Sequence, residues 1–98
     1  MTVLSGSGLQ SLNAVTVGNT PTLLQAADAG TLTMVIKAAA SNSEPIYIGD
    51  VGLTNPSVTE DGIPIDAGTA FVMDTSAAIY AISENGSQKA YLVRISKT

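Results

Sequence analysis

Histidine and cysteine are both absent from this chain of 98 residues, and each absence removes a class of chemistry. Without cysteine there is no disulfide framework and no thiolate metal site, and without histidine the commonest metal ligand and general base is missing. Tryptophan is also absent and phenylalanine occurs once, so three tyrosines supply the remaining aromatic rings. That is little material for a sugar-binding platform. Charge is scarce as well: 12% of residues are ionic, against about 25% in ordinary soluble domains. Only Lys37, Lys89, Arg94 and Lys97 are basic, and nucleic-acid binding draws its affinity from Lys and Arg on phosphates, so nucleic acid is not an expected partner. No apolar run approaches the ~20 residues of a membrane helix. Met1 to Gly6 lacks the charged and apolar regions of a secretory signal, so no membrane is expected and synthesis in a cytoplasm is.

What is present is 45% hydrophobic residues, a mean hydropathy of +0.31 and a net charge of -4. A chain of this size is one domain that hides only roughly 60 to 68% of its unfolded surface. With few charges to cover the outside, part of the apolar surface is expected to be buried by copies of the chain or by a larger assembly.

The pattern along the chain is that of short strands between turns. Residues 1–11 carry Ser5-Gly6-Ser7-Gly8, a flexible composition read as an N-terminal arm, yet one that holds the apolar Val3, Leu4 and Leu9. Residues 12–98 read as a single β-domain. Alternation from Leu12 to Val17 is broken by Gly18-Asn19-Thr20-Pro21, and Thr22 to Ala26 follows as a second strand. Leu32, Met34, Ile36 and Ala38 share one face of the longest candidate while Thr33, Val35 and Lys37 share the other. Ile46 to Ile48 is short and ends at Gly49. Asp50 to Pro64 holds two glycines and two prolines and reads as an excursion along an edge or a protruding loop. Asp66-Ala67-Gly68 and Asp74-Thr75-Ser76 flank a further strand. Asn85-Gly86 predicts a type I′ hairpin that pairs Ala78–Ile82 with Lys89–Ser96. Seven or eight short strands without a crossover helix predict an all-β fold, a small antiparallel sandwich or barrel of jelly-roll or immunoglobulin-like kind. Alternation places Ile48, Ile82 and Val93 in the core.

Candidate chemistry is thin. Asp50, Glu60, Asp61 and Asp66 could in principle converge on a hard cation, but their spacing matches no calcium loop, and Glu60 and Asp61 as neighbours on an extended chain point apart, unlike a glycosidase pair. The abundant Ser and Thr have no base to activate them, and Gly49-x-x-Gly52 lacks the lysine and helix of a phosphate loop. Tyr47, Tyr80 and Tyr91 read as rings packed on sheets with wet hydroxyls. The expectation is a protein that is not an enzyme, with no catalytic residue, metal or cofactor.

The run Ile46-Tyr47-Ile48-Gly49-Asp50-Val51-Gly52-Leu53-Thr54, then Gly62-Ile63-Pro64-Ile65-Asp66-Ala67-Gly68 and Ile79-Tyr80-Ala81-Ile82-Ser83, closes with Tyr91-Leu92-Val93-Arg94-Ile95. Together with the Thr-rich opening it resembles a group of short tailed-phage virion proteins, from about Val15 onward. The resemblance implies a structural virion protein, a capsid decoration or cement protein of a bacteriophage. It would bind the major capsid protein on the outer capsid surface, as a homotrimer that stabilises the shell through multivalent contacts. The acidic balance suits a face turned away from DNA. A tail fibre or baseplate adaptor module is the alternative. The residues expected at a partner interface are Val3, Leu4 and Leu9 of the arm and Val51, Leu53 and Val58 of the long excursion.

Overall fold

The structure is a computed structural model and describes residues 8–27 and 32–96. It is an all-β sandwich, and among the described residues it has nine strands and no helix. They are β1 (Gly8–Ser11), β2 (Val15–Val17), β3 (Thr22–Gln25), β4 (Leu32–Ala38), β5 (Ile46–Gly49), β6 (Ile63–Ile65), β7 (Ala70–Thr75), β8 (Ile79–Ile82) and β9 (Gln88–Ser96). One sheet has the order β1-β9-β4-β7, with β2 also pairing β9, and the other has the order β3-β8-β5-β6. Every pairing is antiparallel.

The alternation read in β4 is the axis of the core. Met34, Ile36 and Ala38 point inward and meet Ala90 and Leu92 of β9, Val17 of β2, and Ile46, Ile48, Ile65, Ile79 and Ala81 of the opposite sheet. Burial of this branched aliphatic set, at about 25 cal/mol per Å² of apolar area removed from water, is the main favourable contribution in a chain without disulfides. On the outer face, register aligns Val72, Val35 and Val93 in one row across β7, β4 and β9, and Ala70, Lys37 and Tyr91 in the next. In the row beyond, Thr33 donates to Asp74 Oδ1 at 2.6 Å, and Thr33 and Ile95 are buried.

Four sequence expectations are corrected here. Gly8–Ser11, assigned to the arm, is a strand that pairs with β9 from Gly8↔Ser96 to Ser11↔Val93; β1 and β2 follow one another along the same edge of β9. Val93 lies on the outer face and is only partly buried, because register with Val35 puts Leu92 inward instead. Ile48 and Ile82 are in the interior as expected. The Asn85-Gly86 turn does not make a hairpin: β8 pairs β3 and β5, while β9 belongs to the other sheet. The positive φ values fall on Gly86 and Ser87, and the chain crosses between sheets at this point. Ser83 N–H donates to Gly18 O at 3.0 Å. Buried Gln88 donates to Gly86 O at 3.1 Å and accepts from Ser43 N at 2.8 Å. The Asn85 side chain is committed to Glu44, whose two carboxylate oxygens accept from Asn85 N and Nδ2 at 2.8 and 2.9 Å. The number of strands is one more than the upper expectation.

The return from the second sheet to the first is made at Asp66–Thr69. Thr69 N donates to Asp66 O at 3.0 Å, with Gly68 at φ +80 in the left-handed position that a type II turn reserves for glycine. Gly68 N and Thr69 O both bond Ala38, at 2.9 and 3.0 Å, so two residues oppose one and β7 starts from a bulge.

Candidate interaction surface

The excursion between β5 and β6 is the largest irregular segment among the described residues, and its polar side chains bond its own backbone and the neighbouring segments. Asp50 Oδ1 accepts from Gly52 N at 2.9 Å, and Asp61 Oδ1 accepts from Thr54 N at 3.0 Å. Asn55 is the clamp. Its Nδ2 donates to Asn19 O at 3.2 Å and Glu84 O at 3.1 Å, its Oδ1 accepts from Ser57 N at 2.9 Å, and its carbonyl accepts from Val58 and Thr59. A short polar side chain that bonds nearby backbone is what favours Asn and Asp in such segments.

Two further contacts tie the loop down to the sheet. Tyr47 on β5 donates its hydroxyl to Glu60 Oε1 at 2.7 Å. That hydrogen bond, then burial, then the negative charges of Glu60, Glu84 and Asp66 push the Tyr47 pKa up from 10.0 to about 12. Leu53 is 7% exposed and packs with Tyr47 and Ile82 in a small second core. Gly62, at φ +83, leaves space that a side chain would take: a Cβ there would stand 2.6 Å from Ile48 O and 2.7 Å from Leu53 Cδ2.

Of the six residues expected at a partner interface, two are exposed on the loop between β5 and β6. Val51 and Val58 stand outward at 64% and 77% exposure on the clamped loop. Leu53 is corrected: it is an inward plug, because the tight turn at Asp50–Leu53, closed by Leu53 N to Asp50 O at 3.2 Å, rotates it beneath the loop. Leu9 lies in β1, opposite Ile95. Val3 and Leu4 lie outside the described residues.

The four acids considered for a cation each have a structural task or stand apart. Asp50, Glu60 and Asp61 make the bonds above, Asp66 lends its carbonyl to a turn, and among the described residues no group of three or more acids is placed to hold a metal ion. A cleft of about 380 Å³ beside the loop is lined by Glu44, Pro45, Tyr47, Pro56, Glu60 and Glu84. Glu44 there is engaged by Asn85 and Glu60 by Tyr47.

Sequence reasoning missed the outer face of the first sheet. A shallow groove of about 350 Å³ runs along it, lined mainly by Val35, Ala70, Tyr91, Val93 and Leu12. It also missed the edge at β7, where Val72 is exposed. The signal was present in Val35, Val72 and Val93, but it becomes a row only once register is known. Comparison with known proteins adds no relative. No family model, curated protein or solved structure matches the chain.

Proposed function

We propose that this chain is a non-catalytic assembly module of a tailed-phage particle, a decoration protein held in many copies on the outer capsid surface with the major capsid protein as its partner. The observation that carries the binding part of this reading is the loop between β5 and β6. Asp50, Asn55, Glu60 and Asp61 are each held by hydrogen bonds within the domain and the loop backbone is clamped by Asn55, yet Val51 and Val58 face solvent. A loop fixed before binding loses little conformational entropy on docking, so even two small apolar contacts per subunit give a favourable increment. Repeated over an oligomer that touches several shell proteins at once, weak contacts add through effective concentration. The net charge of -4 suits a surface turned away from packaged DNA. The virion assignment rests on the resemblance of the strand and turn motifs to short phage virion proteins.

The test is a count and a perturbation. In purified particles of the virus that encodes the chain, quantitative mass spectrometry should find it at copy numbers comparable with the major capsid protein. Val51→Asp with Val58→Asp should lower that occupancy while leaving the melting temperature unchanged. A handful of copies per particle would instead favour the tail fibre or baseplate reading.

A further inference from the structure

The sandwich has one strand edge that is long and regular among the described residues. Sheets normally blunt their edges with prolines, bulges, interruptions or charge. The other edges follow that rule: β6 is three residues with Pro64 at its centre, β3 carries a register shift between Leu23 and Gln25, and β1 and β2 are separated by residues 12–14. The fourth edge, β7, reads Ala-Phe-Val-Met-Asp-Thr and keeps unbroken register with β4 from Leu32↔Thr75 to Lys37↔Ala70. It has no proline and no lysine; its bulge lies before Ala70, at Gly68–Thr69, and its one charge, Asp74, accepts from Thr33 within the sheet.

Alternation fixes which backbone groups face out. Ala38 bonds toward the β7 side and Ala39 toward β9, so Ile36, Met34 and Leu32 bond Phe71, Met73 and Thr75. The N–H and C=O groups of Ala70, Val72 and Asp74 are therefore aimed away from the sheet.

We infer that β7 is a self-association edge, and that a second copy of this chain pairs with it antiparallel about a two-fold axis at Val72. This reading goes beyond the particle assignment and does not depend on it. Under that symmetry Val72 pairs with Val72 of the second copy, and Ala70 pairs with Asp74 in both directions, each pair exchanging two backbone bonds. Three features of the surface fit this occupant. The row Val93, Val35, Val72 continues into the same row reversed, giving an uninterrupted apolar stripe across both sheets. No like charges meet: Asp74 falls opposite Ala70, whose small side chain separates it from Lys37 on the same face. On the inner face, Phe71 falls opposite Met73 of the second copy. There it covers the mouth of an apolar cavity of about 160 Å³ between Ile48, Ile63, Met73 and Ile79, beside the exposed Ile63. The interface is isologous and closes after two copies, in contrast to the threefold state implied by the resemblance.

Sedimentation velocity at micromolar concentration should give a particle of twice the 9.9 kDa chain mass. Val72→Lys, at an exposed outer-face position, should keep the far-UV spectrum and melting profile but sediment as a monomer, because two ammonium groups then face each other at the axis. Val72→Cys, the sole thiol in the chain, should form a covalent dimer on mild oxidation far faster than Val58→Cys; this second variant decides the matter if the lysine variant does not fold. A wild-type monomer or trimer, assembly unchanged by Val72→Lys, or equal cross-linking at positions 72 and 58 would each overturn the pairing.

Discussion

Beneath the β5–β6 loop, Gly62 and Leu53 are matched to one another at the scale of single atoms. A methyl at position 62 would meet the Ile48 carbonyl oxygen at 2.6 Å, a backbone atom fixed in a sheet, and would also sit at φ +83. Left-handed backbone alone costs a non-glycine residue roughly 1–2 kcal/mol, so with the added clash Gly62→Ala should lower stability by at least about 2 kcal/mol. The shift of the urea midpoint measures it. Tyr47 makes a different prediction, in pH. Its folded pKa is raised from 10.0 to about 12 by the bond to Glu60. The stabilisation is therefore complete below pH 10 and is lost as pH rises from about 10 through about 12, where the unfolded chain ionises first. Ultraviolet titration should show a tyrosine ionising near pH 12, and Tyr47→Phe should remove that step. The same substitution should reduce the alkaline loss of stability.

At the scale of elements, the strands were largely legible and their partners were not. Period-2 alternation in Leu32–Ala38 marks the inward face correctly, and Gly68, placed after Asp66-Ala67, marks a real turn. Pairing is decided elsewhere, by contacts between residues far apart in sequence. Asn85-Gly86 carries a strong local hairpin signal, but Glu44 takes the Asn85 side chain, and Gly18 takes Ser83, so β8 and β9 part into different sheets. For Val93, alternation alone leaves the choice of face open, and only the register with Val35 settles it. The loop's exposed valines were legible as apolar residues in a Gly/Pro segment; the inward turn of Leu53 was not, since it depends on the tight turn at Asp50–Leu53. The clamp itself is testable. Asn55→Ala removes bonds to Asn19 O, Glu84 O and Ser57 N, each worth about 0.5–1.5 kcal/mol net at most when partly exposed. The expected result is faster amide hydrogen exchange at Val58 and Thr59, whose N–H groups bond the Asn55 carbonyl, with little change in the β4 and β9 amides.

For the whole molecule, the first and last described strands meet. β1 pairs β9 from Gly8↔Ser96 to Ser11↔Val93, and Leu12 N continues the ladder to Leu92 O at 3.1 Å. The chain therefore closes on itself, and the fold is completed only when segments more than eighty positions apart are joined, a topology in which loop-closure entropy precedes the gain from contacts and folding is slow. This changes what removal of the N-terminal segment should do. If residues 2–11 served only to grip a partner, their deletion would leave the domain's stability untouched. Because Gly8–Ser11 covers half of the β9 edge, deletion instead strips ladder bonds worth roughly 0.5–1.5 kcal/mol each and leaves β9 with a bare edge open to pairing with other chains. The truncated protein should show a lower urea midpoint than the full chain, together with light scattering that grows with concentration even when Val72→Lys is also present to block the β7 edge. An unchanged midpoint and a clear solution would mean that β2 and β4 hold β9 by themselves, and that β1 contributes nothing to the stability of the sheet it completes.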